Sequence, residues 1–514
     1  MEEISGFWYY VMIFMTLWLV LKVINMSRKG AGKLPPGPPG WPIVGNLLQL
    51  GGKPNESMYH LAAKYGPLMT LQLGMRTTVV ASSPAMAKEV LKNHDQILSG
   101  RTVVEAAKCL SYSDTSLVWN NCGPRWRMLR KFCNIELFSV KRLEALQHLR
   151  RDQVFSTIRS IFEDSIKAKG VNLGHSAFLA SLNLLGNLIF SQNIFGRDSQ
   201  AAEEFKETVT KLMVIGGKPN LADYFPFLRI LDPQGVSRDC SKNIAIVFEL
   251  LDRSVEVRLQ SRREGRTDDS SGKAKDFLDI LLEYKSESGE TFTKKDIIPF
   301  LYDMFVAGSE TSSATIEWAM AEAIRNPRIM KKAQAELDEV IGTGRRVEET
   351  DIDRLPYLHA VVKETFRLHP PAPLLIPHRA ESSCEVAGYM IPKDTQLLVN
   401  AWAIGRDPTI WDEPTKFKPE RFVESEMEYR GQNFELIPFG AGRRICPGLP
   451  LAHRMVHVVT ASLLHSFNWS LPDGITTDTM DMSERFGITL QRASPLIAIP
   501  SLRLPSHLFN DQHH

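Results

Sequence analysis

Residues 439–448 read Phe439-Gly440-Ala441-Gly442-Arg443-Arg444-Ile445-Cys446-Pro447-Gly448. Closely spaced glycines let a backbone turn tightly, so that peptide N–H groups can converge on one atom. Pro447 suits the first position of a helix, and helical periodicity follows over 447–466. The Cys446 sulfur is thereby expected near the positive end of a helix dipole, where a thiolate is stabilised. Such a loop suits a shielded, ionised metal ligand at Cys446. The competing reading is an ordinary buried cysteine in a glycine-rich loop. Five specified residues at fixed spacing arise by chance in a chain of this length with a probability on the order of 10⁻⁴, which favours the ligand.

Outward from this loop, a 3.6-residue apolar period marks helices over 141–165, 176–193, 243–264, 276–285, 296–324, 327–341, 354–368 and 447–466. Strand-like runs are short, near 67–80, 386–399 and 487–500. The expected fold is mainly α with small β-sheets. Residues 262–275 read as a solvated loop. The chain has 514 residues and a formal charge of +2, so bulk electrostatics favour no nucleic-acid partner. Its six cysteines include no CxxC pair, which suits a reducing compartment better than a disulfide framework.

The N-terminus departs from this composition. Ile4 to Ile24 is almost wholly apolar, with Lys22 its only charge. As a helix this run spans about 32 Å, enough to cross a bilayer core of about 30 Å, and Trp8, Tyr9 and Tyr10 suit one interface. Glu2 and Glu3 precede it, whereas Arg28, Lys29 and Lys33 follow, so the positive-inside rule places the rest of the chain in the cytosol. A cleaved signal peptide would want a basic start and a small-residue cleavage site, and neither is visible. The expected organisation is a transmembrane anchor over 1–24, a basic and proline-rich hinge over 25–42, and a catalytic domain over 43–514. The run Leu34-Pro-Pro-Gly-Pro-Pro-Gly-Trp41-Pro42 works as a semi-rigid spacer.

Further motifs stand in order along the chain: Trp126-x-x-x-Arg130, Ala307-Gly308-x-Glu310-Thr311, Glu364-x-x-Arg367 and Pro419-Glu-Arg421-Phe422. Together with the 439–448 loop and the proline hinge they resemble the cytochrome P-450 family over most of the chain. The resemblance implies the P-450 fold, haem b with Cys446 as the axial ligand of its iron, and monooxygenase chemistry. In that loop it implies that Phe439, Gly442 and Gly448 surround the cofactor and that Arg444 faces a propionate. Trp126, Arg130 and His378 are further propionate contacts by resemblance. Glu364, Arg367 and Arg421 are implied to lock behind the haem loop as structural residues, not catalytic ones. Arg127 and Lys131, four apart, could dock an acidic electron donor, or form a solvated charge run.

The helix over 296–324 is expected to carry the oxygen chemistry. Gly308 allows close approach of a flat ligand, and the Thr311 hydroxyl can reach the Ala307 carbonyl and open the helix locally. Glu310 and Thr311 are the implied catalytic pair that passes protons. Asp303, Ala307 and Thr311 share one face. Asp303 could receive a substrate hydroxyl or be satisfied by protein groups, and the second is favoured. Other implied pocket walls are Val306, Leu374 and Ile376 within 372–376, and Phe486 and Ile488 within 486–490, with Thr489 a possible polar contact. The stretch 307–320, the run 447–452 and Phe486-Gly-Ile-Thr-Leu490 resemble plant microsomal enzymes of the geraniol and terpenoid hydroxylase group. That implies a small apolar, terpenoid substrate, electrons from NADPH through a separate membrane-bound reductase, and residence in the endoplasmic reticulum as a single-pass protein in contact with lipid. No dinucleotide-binding signature of its own is present. The alternatives are a phenolic or alkaloid hydroxylase of the same fold, a reductase-independent isomerase or dehydratase, and a non-enzymatic haem protein; the intact Glu310-Thr311 pair argues against the last two.

Overall fold

The longest periodic run forms the helix Lys294–Arg325 in the computed structural model, which describes Met12, Thr16 and residues 33–196, 199–264, 275–285 and 291–510. Its N-terminus is tied by Asp296, whose carboxylate accepts the Thr293 N–H at 2.8 Å. Most of its residues are buried, as expected for a helix enclosed by neighbours rather than lying on a surface. Around it pack Leu173–Phe190, Val236–Arg263, Leu449–Ser466 and Pro356–Leu368. Among the described residues only Leu173–Phe190 is long and apolar enough to cross a membrane, and it is a core helix buried against Lys294–Arg325.

Sheets are small and serve as clamps. Five strands lie in the order Leu68–Leu73, Arg76–Ala81, Gln396–Val399, His378–Arg379, Gly100–Arg101. The last pair is antiparallel and sets Arg101 opposite His378. The proline-rich stretch is fastened along the first strand. The Thr70 N–H donates to the Pro36 carbonyl at 2.8 Å, and a Cβ on Gly37 would lie 1.9 Å from the Thr70 carbonyl oxygen. Met12 and Thr16 are helical, with the Thr16 hydroxyl donating to the Met12 carbonyl at 2.8 Å; the rest of the expected anchor lies outside the described residues.

Several expected boundaries shift. The helix expected over 447–466 begins at Leu449 with Gly448 as its cap, and Pro450, not Pro447, takes the first-turn position. Residues 446–448 are spent on the loop itself. The run 141–165 divides at Leu146 into Val140–Ala145 and Gln147–Ile166. Helix Val236–Arg263 covers the start of the expected 262–275 loop, of which 265–274 lie outside the described residues. The helix Gln200–Gly217 was not legible as one, since its Lys- and Glu-rich sequence ends in two glycines that lower helix propensity.

Candidate active site

Cys446 follows a turn that favours glycine. Gly440 and Gly442 have φ of 69° and 65°, and a Cβ on Gly442 would lie 1.8 Å from the Leu91 carbonyl oxygen. The Cys446 N–H closes the loop by donating to the Phe439 carbonyl at 3.0 Å. The Phe439 ring is held edge-on to Phe366, with centroids 5.2 Å apart. Burial pushes the Cys446 thiol up, against the Gly448 and Leu449 N–H groups and the Arg130 cation, which pull it down. The expected donors at the helix start are in place, since the Gly448 and Leu449 N–H groups act to stabilise the thiolate against burial.

Beside the thiol lies a group of cations that no carboxylate hydrogen-bonds among the described residues. The Arg444 guanidinium donates to the Ser99 carbonyl at 3.0 Å and the Asn120 carbonyl at 2.6 Å, and stacks 4.6 Å from the Trp126 ring. Its Nη1 is buried with no partner. Arg101 donates to Val118 and Ile376 carbonyls at 2.9 and 2.8 Å. His378 places Nδ1 2.8 Å from the Leu98 carbonyl oxygen. Burial lowers Arg101 and Arg130 and holds Arg444 down to about 10, and it keeps His378 well below the usual imidazole range, so the three arginines carry the charge here. Desolvated like charges of this kind call for an anion. Trp126 differs from its expected role in one respect: its indole N–H donates to the Leu117 carbonyl at 3.1 Å.

The helix Lys294–Arg325 forms the opposite wall. Ala307 is exposed although it lies in the middle of the most buried helix, because it faces a cavity of about 330 Å³ that also reaches Cys446. The Thr311 hydroxyl donates to the Ala307 carbonyl at 2.7 Å, as expected, while the helix stays continuous. Glu310 does not line the cavity. Consecutive helical residues point about 100° apart, so Glu310 and Thr311 occupy different faces. Glu310 instead accepts the Gln491 amide, and burial pushes it up to about 7. Asp303 lines the cavity, but its carboxylate is taken by the Tyr112 hydroxyl, Ser116 Oγ at 2.9 Å and the Leu117 N–H at 2.6 Å. Burial still pushes it up to about 6. It ties the segment 105–117, the roof of the cavity, to the helix and leaves a substrate hydroxyl little to bind.

A family model described as Cytochrome P450 matches residues 35–497. The chain belongs to the cytochrome P450 family. It is 49% identical to geraniol 8-hydroxylase of Catharanthus roseus over 96% of this chain and 99% of that protein. It is 48% identical to geraniol 8-hydroxylase of Swertia mussotii over 93% and 95%, and 43% identical to iridoid oxidase of Catharanthus roseus over 95% and 96%. The chain is an oxidoreductase, a P450 monooxygenase of plant type.

P450 enzymes are haem-thiolate proteins, and the residues here fit that group: a cavity-lining thiol, unpaired cations beside it, and an orphaned Arg444 Nη1. Behind the loop, Arg367 is bidentate to Glu364 at 2.7 Å, and Arg421 Nε reaches the same carboxylate at 3.0 Å. Arg367 also donates to the Pro414 and Lys416 carbonyls at 2.7 and 3.0 Å, so this buried pair is satisfied throughout. Of the expected P450 substrate walls, Val306, Ala307, Ile376 and Ile488 line the cavity, as does Thr489. Leu374 does not; it packs with Leu50 and Met58 near the first sheet, and Leu375 takes the cavity position. Phe486 and Gly442 are also absent from the lining. Sequence reasoning missed Ala106, Ala107 and Leu117 of the roof, Leu185, and Leu212 and Met213. One signal for the last pair exists: Gly216-Gly217 lets the helix end approach the 486–489 turn, where a Cβ on Gly217 would meet Gly487 backbone at 2.3 Å.

Proposed function

We propose that the protein hydroxylates a small apolar plant metabolite, a terpenoid alcohol or its close relative, using NADPH electrons delivered by a separate reductase. One observation carries this reading: the cavity that reaches Cys446 is walled mainly by aliphatic side chains, and the one carboxylate in its lining, Asp303, is already satisfied by protein donors. Affinity then comes from burying apolar area, at about 25 cal/mol per Å². Thr489 is left as a polar contact for one hydroxyl. The names of the geraniol 8-hydroxylase and iridoid oxidase relatives agree.

Haem b, when bound, activates dioxygen and supplies the oxidising iron. Cys446 would hold the iron, and Arg130, Arg444 and His378 would hold the propionates, with Arg101 beside them on the same cavity and Trp126 stacked on Arg444. Phe439, Gly442 and Gly448 shape the bed of the thiolate. Thr311 positions a proton donor on the cavity side, and Glu310 supplies protons from behind it. Arg127 and Lys131 are exposed on the helix Pro124–Phe132, a basic face fit for an acidic electron-donor protein.

The reading places 1–24 in the endoplasmic reticulum membrane as a single span, 25–42 as the hinge and 43–514 in the cytosol. An apolar surface near the hinge supports contact with lipid. Trp41 is 62% exposed, Leu48 72%, Phe227 67% and Ile230 94%. These segments are joined, since the Gly74 N–H donates to the Val44 carbonyl at 3.2 Å and the Met75 N–H to the Tyr224 carbonyl at 3.0 Å.

The test is a haem spectral titration with geraniol and with a charged, polyhydroxylated aromatic of similar size, on the natural chain and on Ala307→Leu. Overfilling a packed site costs about 1–3 kcal/mol, roughly ten- to a hundredfold in affinity. Geraniol is expected to bind more tightly, and Ala307→Leu to weaken it or shift the oxidised carbon. Preference for the charged aromatic, or indifference to Ala307→Leu, overturns the terpenoid reading.

A further inference from the structure

Glu310 is the one member of the expected catalytic pair that faces away from the cavity, and what it faces is a built polar site. Its Oε1 accepts the Gln491 side-chain amide, while its Oε2 is buried with no partner. Gln491 lies in the short strand Gln491–Arg492, paired with Glu484–Arg485. The Gln491 side-chain oxygen Oε1 accepts the Arg485 guanidinium at 3.0 Å, and Arg485 is exposed. A continuous hydrogen-bonded path therefore runs from solvent through Arg485 and Gln491 to a fully buried carboxyl one residue from Thr311.

The charged groups around Glu310 come from three sides. Lys206 approaches from the helix Gln200–Gly217, Arg485 from the hairpin, and Glu317 from the same helix two turns on. Glu317 is fixed by the Leu496 N–H at 2.8 Å and fills the space where a Cβ on Gly174 would stand. Lys206 lies within electrostatic reach of Glu310, Glu317 and Arg485, and His175 in turn lies within reach of Lys206 and Glu203. Two cations and a second carboxylate thus balance on Glu310, which burial keeps near neutrality.

We propose that Gln491 is a positioning residue for proton delivery: its amide, itself oriented by Arg485, parks the Glu310 carboxyl outside the substrate cavity, where Lys206 and Arg485 lie within electrostatic reach and solvent restores its proton. This rests on the proposed role of Glu310. In each delivery the Glu310 carboxylic acid loses one proton from its free oxygen toward Thr311 and becomes a carboxylate. The Gln491 N–H and Lys206 ammonium stabilise that anion, and one proton from solvent restores the acid. No electrons move in this step; they come from NADPH through the reductase.

A buried carboxylic acid has an infrared C=O band that can be read without turnover. The full chain, loaded with haem, is measured across pH as Glu310→Gln, Gln491→Leu and the natural sequence, and product per NADPH consumed is measured with geraniol. Expected is a band that vanishes in Glu310→Gln. In Gln491→Leu it should shift in frequency and titrate about one pH unit higher, a tenfold change in proton affinity. Coupling should fall about tenfold in Gln491→Leu, within the range general acid–base groups command, and no further in the double variant. No Glu310-dependent band would refute the reading of Glu310. A Glu310-dependent band that Gln491→Leu leaves in place, with coupling unchanged, would overturn the positioning role alone.

Discussion

The Thr311 hydroxyl is placed by one contact within its own helix. It donates to the Ala307 carbonyl at 2.7 Å yet lines the cavity, so removing it leaves the helix and the cofactor bed intact. Thr311→Ala is expected to keep haem and geraniol binding while product per NADPH falls sharply; unchanged coupling would make the residue merely structural. The placement of Thr311 and Cys446 at the cavity was legible in the sequence because each follows from local spacing: a four-residue helical reach, and glycines before a helix. Glu310 and Asp303 were legible as residues but not as orientations. Asp303 shares a face with Ala307, but whether its carboxylate is free depends on Tyr112 and Ser116, which lie about 190 residues earlier in the chain and which no local pattern connects to it. Leu374 and Leu375 exchange places for a similar reason. Neighbouring positions in an irregular loop carry no period, and Leu375 adopts a left-handed φ of 49°.

At the scale of elements, periodic helices were legible to within a few residues, whereas Gln200–Gly217 and the roof segment were not. The roof folds into pieces of three to four residues, Glu105–Lys108, Cys109–Ser111 and Tyr112–Thr115, too short for periodicity to register. Where helices Pro356–Leu368 and Leu449–Ser466 meet, three histidines cluster: the His457 ring lies tilted 4.4 Å from His359 and 4.5 Å from His453, centroid to centroid. Burial holds His453 down to about 3, assisted by His359, Arg430, Arg454 and Lys363, and also lowers His359 and His457. A depressed folded-state value means that the unfolded chain binds protons first. The cluster's stability is therefore present above about pH 6.5 and lost as pH falls toward the folded value. The melting temperature should drop from pH 7 to pH 5 more steeply in the natural chain than in His453→Gln. Equal slopes would remove the cluster from the account.

For the whole molecule, orientation and cofactor are the decisive properties. Three glycosylation sequons stand in the sequence, Asn25-Met-Ser27, which abuts the expected span, Asn55-Glu-Ser57 and Asn468-Trp-Ser470, and the last two report on the topology of the catalytic domain. Asn55 is buried, so Asn468, exposed on its strand, is the informative one. With the catalytic domain in the cytosol, protein from plant microsomes should show no mobility shift on glycosidase treatment; a shift would reverse the proposed topology. The architecture itself centres on one sulfur, toward which the glycine loop, the cations and the long helix are all arranged. The most direct measurement of that claim is the absorption spectrum of the reduced carbon-monoxide complex in the natural chain, Cys446→Ser and Cys122→Ser. Cys122 is the fair control, because it too lies within electrostatic reach of Arg130 and Arg444. Loss of the thiolate-type band in Cys446→Ser, with its retention in Cys122→Ser, is the predicted result; a thiolate-type band that survives in Cys446→Ser would contradict the account.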